Sequence, residues 1–384
     1  MKPKVLIVGG GPSGSTAAIY LLQHGFRVML FEKGGKSRNK TCGEGLTPES
    51  QHILKKIQMF ASIKKIAYQV NQMSLFDLSN RPILLKNKYF TLERSVLDKT
   101  LRNKIEELGG KVYHNCTISE WNNLDNRVTI KDSLGNEYKG DILILATGAE
   151  NTLAKKNGFT SGAYSAVALR AYGNNTIGCD TLEFYFHRKL YPAYGWIFPL
   201  PNNKINIGVY THKDIGPTRD VAKLMDLFYE VLSEKYDKSI HLSSPLQGWV
   251  LQTGLQEKNL CRDRVLLVGE NISCTYNLSG EGIGPAMKSG LFAAQTIIES
   301  KGDYSRKTLR QYEEKVRDGI APAHYGYNKL FKIFRKEFPF AIATTLLRYI
   351  PGLRRVAQDV IDEKKVFKDV FKLKYIIKSM FLSS

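Results

Sequence analysis

The chain has 384 residues, with 56 Lys+Arg against 36 Asp+Glu and a net charge of +20 at pH 7. At 43% hydrophobic and 24% charged residues it has a globular composition, which excludes collagen-like, low-complexity and wholly disordered chains. The five cysteines, at 42, 116, 179, 261 and 274, are far apart and form no C-x-x-C pair, which argues against a disulfide framework and a structural zinc site and favours a reducing, cytoplasmic compartment.

The elements follow in chain order. Val5 to Val8 reads as a buried strand that runs into Gly9-Gly10-Gly11-Pro12-Ser13-Gly14. A helix follows, with Ala17, Ala18, Leu21 and Leu22 on one face and Gly25 as its stop. Val28 to Phe31 is a second strand, closed by Glu32, so the opening forms a β-α-β unit with a parallel sheet. Further strands are expected over 110–118, 141–146 and 265–268. Residues 164–210 alternate apolar and polar positions (Leu182, Phe184, Phe186; Ile205, Ile207, Val209), which predicts an antiparallel sheet with one covered face. From about 305 the pattern is helical. The expected division is a discontinuous α/β domain over 1–163 and 251–304, an inserted antiparallel sheet over 164–250 and a helical region over 305–384. No run reaches the roughly 18 apolar residues of a membrane span. The longest candidate, Phe338 to Leu347, is broken by Arg348 and Pro351, and the N-terminus lacks a signal-peptide core.

Gly9-x-Gly11-x-x-Gly14 between a strand and a helix is a dinucleotide fingerprint: a tight turn, a close backbone approach to pyrophosphate, and close helix–strand packing. The helix N-terminus at Pro12 and Ser13 offers free N–H groups to phosphate. Glu32, with Lys33 after it, stands where an acid bonds ribose hydroxyls. The fingerprint alone fits FAD and NAD equally.

Three further segments point to FAD by resemblance. Arg94-x-x-Leu97-Asp98 resembles the R-x-x-L-D segment of the flavoprotein monooxygenase/reductase superfamily, whose Arg contacts FAD. Gly269-Glu270 with Leu278-Ser279-Gly280-Glu281-Gly282-Ile283 resembles its second flavin segment, with Glu in place of the usual Asp at 270 and Asn277 in place of Pro. Asp141 to Gly148, ending in Thr147-Gly148, is similar to the strand that closes the FAD domain. Within that superfamily, Cys42-Gly43-Glu44-Gly45-Leu46 resembles the C-G-x-G-L loop of geranylgeranyl reductases. Tyr194-x-Trp196-x-Phe198-Pro199, followed by Gly208, resembles their Y-x-W-x-F-P…G segment. The resemblance implies an α/β fold with a Rossmann-like FAD-binding domain of the glutathione-reductase/p-hydroxybenzoate-hydroxylase type, an inserted antiparallel substrate sheet and a helical C-terminus. It implies FAD contacts along all these segments, Cys42, Ile118, Gly269 and Glu270 among them.

The implied activity is saturation of C=C bonds in a geranylgeranyl or other polyprenyl lipid. Tyr191, Tyr194, Trp196, Phe198, Pro199 and Gly208 would form the substrate wall, although aromatic alternation is equally the mark of sheet core. Cys42 is the expected proton donor, since a thiol with a pKa of about 8.5 is protonated at neutral pH; a bystander thiol in the pocket is the other reading. Reducing equivalents would come from NAD(P)H or a small redox protein. A hydroxylase or halogenase, and a non-catalytic lipid-binding relative, share the fold.

Residues 321–384 carry 13 Lys+Arg against 5 Asp+Glu. A helix from Glu363 would place Val366, Val370, Leu373, Ile377, Met380 and Phe381 on one face, with lysines mostly opposite. Such a helix lies on an anionic membrane surface, as on the inner leaflet, or docks on protein. No nucleic-acid motif is present, and His52, His114, His187, His212 and His241 show no metal-ligand spacing.

Overall fold

The structure, a computed structural model, describes residues 2–362 apart from 125, 161, 163, 164, 214–219 and 237–239. The helix expected from Glu363 onward lies outside the described residues.

A six-stranded sheet runs in the order Cys261–Arg262, Val265–Leu267, Ile142–Leu145, Lys4–Val8, Arg27–Phe31, Lys111–Tyr113. All neighbours are parallel except the first pair. Val5, Leu6 and Ile7 are fully buried, as expected of a central parallel strand covered on both faces. Helices Pro12–Gln23 and Ile283–Glu299 pack against each other beside this sheet. Their approach depends on glycine, since a Cβ on Gly290 would stand 2.1 Å from the Ser13 carbonyl oxygen; a Cβ on Gly14 would stand 2.0 Å from the Gly9 carbonyl oxygen, so Gly14 lets the helix pack on the turn before it. The strand expected over 110–118 divides into Lys111–Tyr113 and Ile118–Leu124. The latter joins Arg127–Asp132 and Glu137–Gly140 in a separate three-stranded sheet.

The large sheet has eight strands, in the order Gln247–Leu251, Ala166–Asn174, Lys204–His212, Tyr194–Leu200, Leu182–Tyr185, Tyr68–Phe76, Pro82–Thr91, Gly45–Leu46. Three of these come from residues 45–91, so the sheet is not confined to 164–250 as expected. Tyr68–Phe76 and Pro82–Thr91 form a hairpin whose turn is fixed by Asp77, which accepts the Ser79 and Arg81 N–H groups. The hairpin then pairs in parallel with Leu182–Tyr185.

Both faces of this sheet are covered. Ile197, Ile205, Ile207 and Val209 pack under helix Val221–Ser233 with Leu224 and Phe228, while Tyr194, Trp196, Phe198 and Tyr210 belong to a second cluster on the opposite face. The alternation therefore separates core from cavity rather than core from water. Helices Gln311–Gly319, Ala321–Phe334, Glu337–Tyr349 and Pro351–Ile361 complete the described chain. Ile350 is extended because it precedes Pro351, which then opens the last helix at its first position.

Candidate functional site

A cavity of about 800 Å³ runs from the glycine fingerprint, past the Cys42 loop and the large sheet, to the C-terminal helices. Gly9, with φ of 109°, needs glycine, since a Cβ there would meet the Ala146 carbonyl oxygen at 2.1 Å. At Gly11 the same test finds only Arg94 Nη2, at 3.9 Å, so the backbone is open to a ligand. Helix Pro12–Gln23 begins here without a side-chain cap, leaving its first N–H groups for an anion. These features fit a dinucleotide pyrophosphate.

Glu32 is fully buried and accepts from the Gly10 N–H at 2.9 Å, the Gly34 N–H at 2.8 Å and Arg38 Nη1 at 3.0 Å. Burial works to raise its pKa, but Arg38 and the two amides outweigh it and hold the carboxyl below its usual value. Lys33 pairs with Glu150 at the same end of the cavity.

Arg94 is buried and forks onto Asp98, with Nη2–Oδ2 at 2.8 Å and Nε–Oδ1 at 3.1 Å. Burial alone would lower its pKa, yet the Asp98 carboxylate outweighs burial and raises it; the Cys42 sulfur lies beside the same guanidinium. The Cys42 Sγ accepts the Glu44 N–H at 3.3 Å. Glu44 is fully buried, with a left-handed φ of 67°. Its carboxyl accepts from Tyr172 Oη at 2.6 Å, the Arg94 N–H at 3.0 Å and Asn206 Nδ2 at 3.0 Å. Desolvation pushes the Glu44 pKa up in spite of these bonds.

Glu270 lines the cavity, pairs with Lys40 Nζ at 3.0 Å and accepts the Gln252 N–H at 3.3 Å, so it is an oriented acid rather than a solvated loop acid. Thr147 Oγ1 donates to Asn271 at 3.0 Å, tying the 141–148 segment to the turn after Gly269. The Asn277 carbonyl accepts from Tyr210 Oη at 2.8 Å and contacts His212 Nε2 at 2.7 Å, so this position contributes through its backbone. Gly282 caps helix Ile283–Glu299 at the cavity, and with Pro285 lacking an N–H and the Gly284 N–H bonded to Glu281, the first turn leaves the Ile283 N–H.

Beside it stands Glu281. Its Oε1 accepts the Gly284 N–H at 2.9 Å, and its Oε2 is inaccessible to solvent and has no hydrogen-bond partner. Burial first, then the nearby Glu49 carboxylate, raises its pKa to about 8. Glu49 itself is held by Lys288 at 2.9 Å and Tyr276 at 3.1 Å.

Of the residues expected at the cofactor, Gly14 and Gly269 do not line the cavity: Gly14 serves helix packing, and Gly269 packs on Ser13. The others do line it. In the aromatic segment, Tyr194, Trp196 and Phe198 line the cavity, joined by Phe184, Phe186 and Tyr210. Tyr191, Pro199 and Gly208 do not. Tyr191 precedes the strand, packs on Phe340 and donates to the Lys336 carbonyl. Pro199 has the opposite parity to Phe198, and its carbonyl accepts from Thr91. Gly208 makes room for the Trp196 indole, because a Cβ there would stand 2.4 Å from the ring. Sequence reasoning missed Glu44, Glu281, Tyr172 and Asn206. The two acids share a visible signal, each a Glu between two glycines in a loop.

A family model described as pyridine nucleotide-disulphide oxidoreductase matches residues 3–175. The chain is 24% identical over 348 residues to digeranylgeranylglycerophospholipid reductase 2 of Methanosphaera stadtmanae, covering 85% of this chain and 86% of that protein. It is 28% identical over 342 residues to the menaquinone reductase of Mycolicibacterium smegmatis, covering 83% and 82%. Among solved structures, a geranylgeranyl bacteriochlorophyll reductase-like protein from Thermoplasma acidophilum superposes with a TM-score of 0.81 at 23% identity, covering 99% of this chain and 96% of that one. A flavin-dependent brominase superposes at 0.78 with 16% identity, covering 98% and 100%, a likeness of fold alone.

Proposed function

We propose that this chain, an FAD-dependent oxidoreductase, acts as a member of the geranylgeranyl reductase family and saturates C=C bonds in the polyprenyl chain of a lipid. The observation that carries this reading is the continuity of one cavity from the glycine fingerprint to a wall of Tyr194, Trp196, Phe198 and Tyr210 and on to apolar C-terminal helices. An elongated apolar substrate is gripped there by area and ring contact. The names of the relatives, a digeranylgeranylglycerophospholipid reductase and a menaquinone reductase, support the same substrate class.

Bound and reduced, FAD supplies the hydride equivalent for one alkene carbon. The residues of the chain do the rest. The fingerprint and the open end of helix Pro12–Gln23 would hold the cofactor, with Glu32, Arg94 and Glu270 as its polar contacts. The aromatic wall positions the alkene and excludes water. Cys42, with the Arg94 guanidinium beside its sulfur, gives a proton to the second carbon. Reducing equivalents come from an external donor, NAD(P)H or a small redox protein.

The test is anaerobic. The holoprotein is reduced with dithionite and mixed with a geranylgeranyl lipid while flavin absorbance and product mass are followed together. Reoxidation of the flavin with one added hydrogen pair per saturated bond is expected. A flavin that stays reduced until oxygen enters, then yields an oxygenated or halogenated product, would move the assignment to oxygenase chemistry on the same fold. Turnover of neither kind would leave a lipid-binding flavoprotein.

A further inference from the structure

Helix Glu337–Tyr349 has two apolar faces. Phe340, Ala343, Thr344 and Leu347 recur at helical spacing; Phe340 and Thr344 are buried, and all four line the cavity. On the opposite side Phe338 is 76% exposed, Ile342 44% and Tyr349 71%. Leu346 lies between the two: it lines the cavity and is 38% exposed. Large apolar side chains grouped and exposed in this way mark an interaction surface.

The occupant is set by charge and by the cavity beneath. Lys332, Arg335 and Lys336, just before this helix in the chain, and Arg355, on the helix that follows, are exposed. The nearby acid, Glu337, is paired with Arg188 at 2.7 Å. An apolar stripe flanked in the chain by exposed cations matches an anionic phospholipid leaflet, with the lysines and arginines at headgroup level and the rings among the acyl chains. No helix of the described residues is long and apolar enough to cross a membrane, so contact would be from one side.

We propose that helix Glu337–Tyr349 is a membrane-docking portal: its outer stripe inserts into an anionic leaflet, and the cavity opens beside it at Leu346, so that a polyprenyl chain passes from bilayer to site without crossing water. The portal rests on the lipid-substrate reading above, whereas the docking surface rests on the helix alone. It is distinct from the segment after Glu363, which the sequence marks as amphipathic.

The full-length holoprotein is sedimented with phosphatidylcholine vesicles, with and without phosphatidylglycerol. Binding to the anionic vesicles and its weakening by salt are expected. The pair Phe338→Asp and Tyr349→Asp lies outside the cavity and should lower vesicle binding roughly tenfold or more, with flavin content unchanged. The pair Ile377→Asp and Phe381→Asp tests the tail. Loss of binding by the tail pair with full binding by the helix pair overturns the proposal, as does a parent chain that ignores anionic vesicles. Tyr349→Trp gives a readout independent of the aspartates: its added fluorescence should be quenched by brominated lipid, and an unquenched indole overturns the insertion. Sedimentation needs no turnover. A chain that docks through this helix yet reduces no polyprenyl lipid defeats the reductase assignment and leaves the docking surface standing.

Discussion

Asn206 Nδ2 donates to the carbonyl oxygen of Cys42 at 2.7 Å. The same amide reaches Glu44 Oε2 at 3.0 Å, and Asn206 Oδ1 accepts from the Trp196 indole N–H at 2.8 Å. One fully buried side chain thus ties the Cys42 loop to the aromatic strand, and fixes the thiol relative to the ring beside it.

Replacing Asn206 by Leu leaves the Trp196 N–H without its acceptor, and the Cys42 carbonyl and Glu44 Oε2 without the donor they share. Each buried group orphaned in this way costs about 1–3 kcal/mol. The expected outcome is a protein that unfolds at lower denaturant and loses flavin more readily, measured by chemical unfolding and by cofactor content after dialysis. Unchanged stability would mean that water replaces the amide and the loop is held by other contacts.

These ties explain what the sequence could reveal and what it could not. The fingerprint is legible because its glycines and its acid lie within one β-α-β unit, where local spacing encodes geometry. The Trp196 wall is legible by alternation, but which face holds the cavity is not, since Ile197 and Phe198 are both buried. The Gly-Glu-Gly signal at Glu44 could be read, but its partners could not, because Tyr172 and Asn206 stand 128 and 162 positions away and meet it only through sheet topology. The hairpin over 68–91 joins the large sheet by a parallel pairing with Leu182–Tyr185, which no local pattern announces.

Glu281 should make stability fall as pH rises. The unfolded chain releases this proton near 4.5, whereas the folded chain keeps it to about 8. Between those values the native state binds more protons, so its advantage shrinks with rising pH, with a limiting slope of about 1.4 kcal/mol per unit. Above about 8 the loss is complete. Glu281→Gln keeps an acceptor for the Gly284 N–H and removes the titration. Its stability relative to the parent should therefore grow from about pH 5 to about pH 8 and then level off, as read by guanidinium unfolding of the holoprotein across that range. A difference independent of pH would show a carboxyl that is ionised in the fold throughout.

Cys42→Ser tests proton donation apart from flavin binding. Serine keeps an acceptor for the Glu44 N–H, but its hydroxyl is a far weaker acid than a thiol. Dithionite should reduce the variant's flavin at the parent's rate, because that step needs no proton from Cys42. Reoxidation by a polyprenyl substrate should slow by tenfold or more, within the roughly 10²–10⁴ range that general acids supply. The same step in the parent should show a solvent deuterium isotope effect and depend on the protonated thiol. A bystander thiol that merely fills the pocket would alter substrate affinity and leave both the isotope effect and the pH profile of this step where they were. Parent-like reoxidation by Cys42→Ser would remove Cys42 from the chemistry and direct the search for a donor to Glu44, the buried acid two residues further along the same loop.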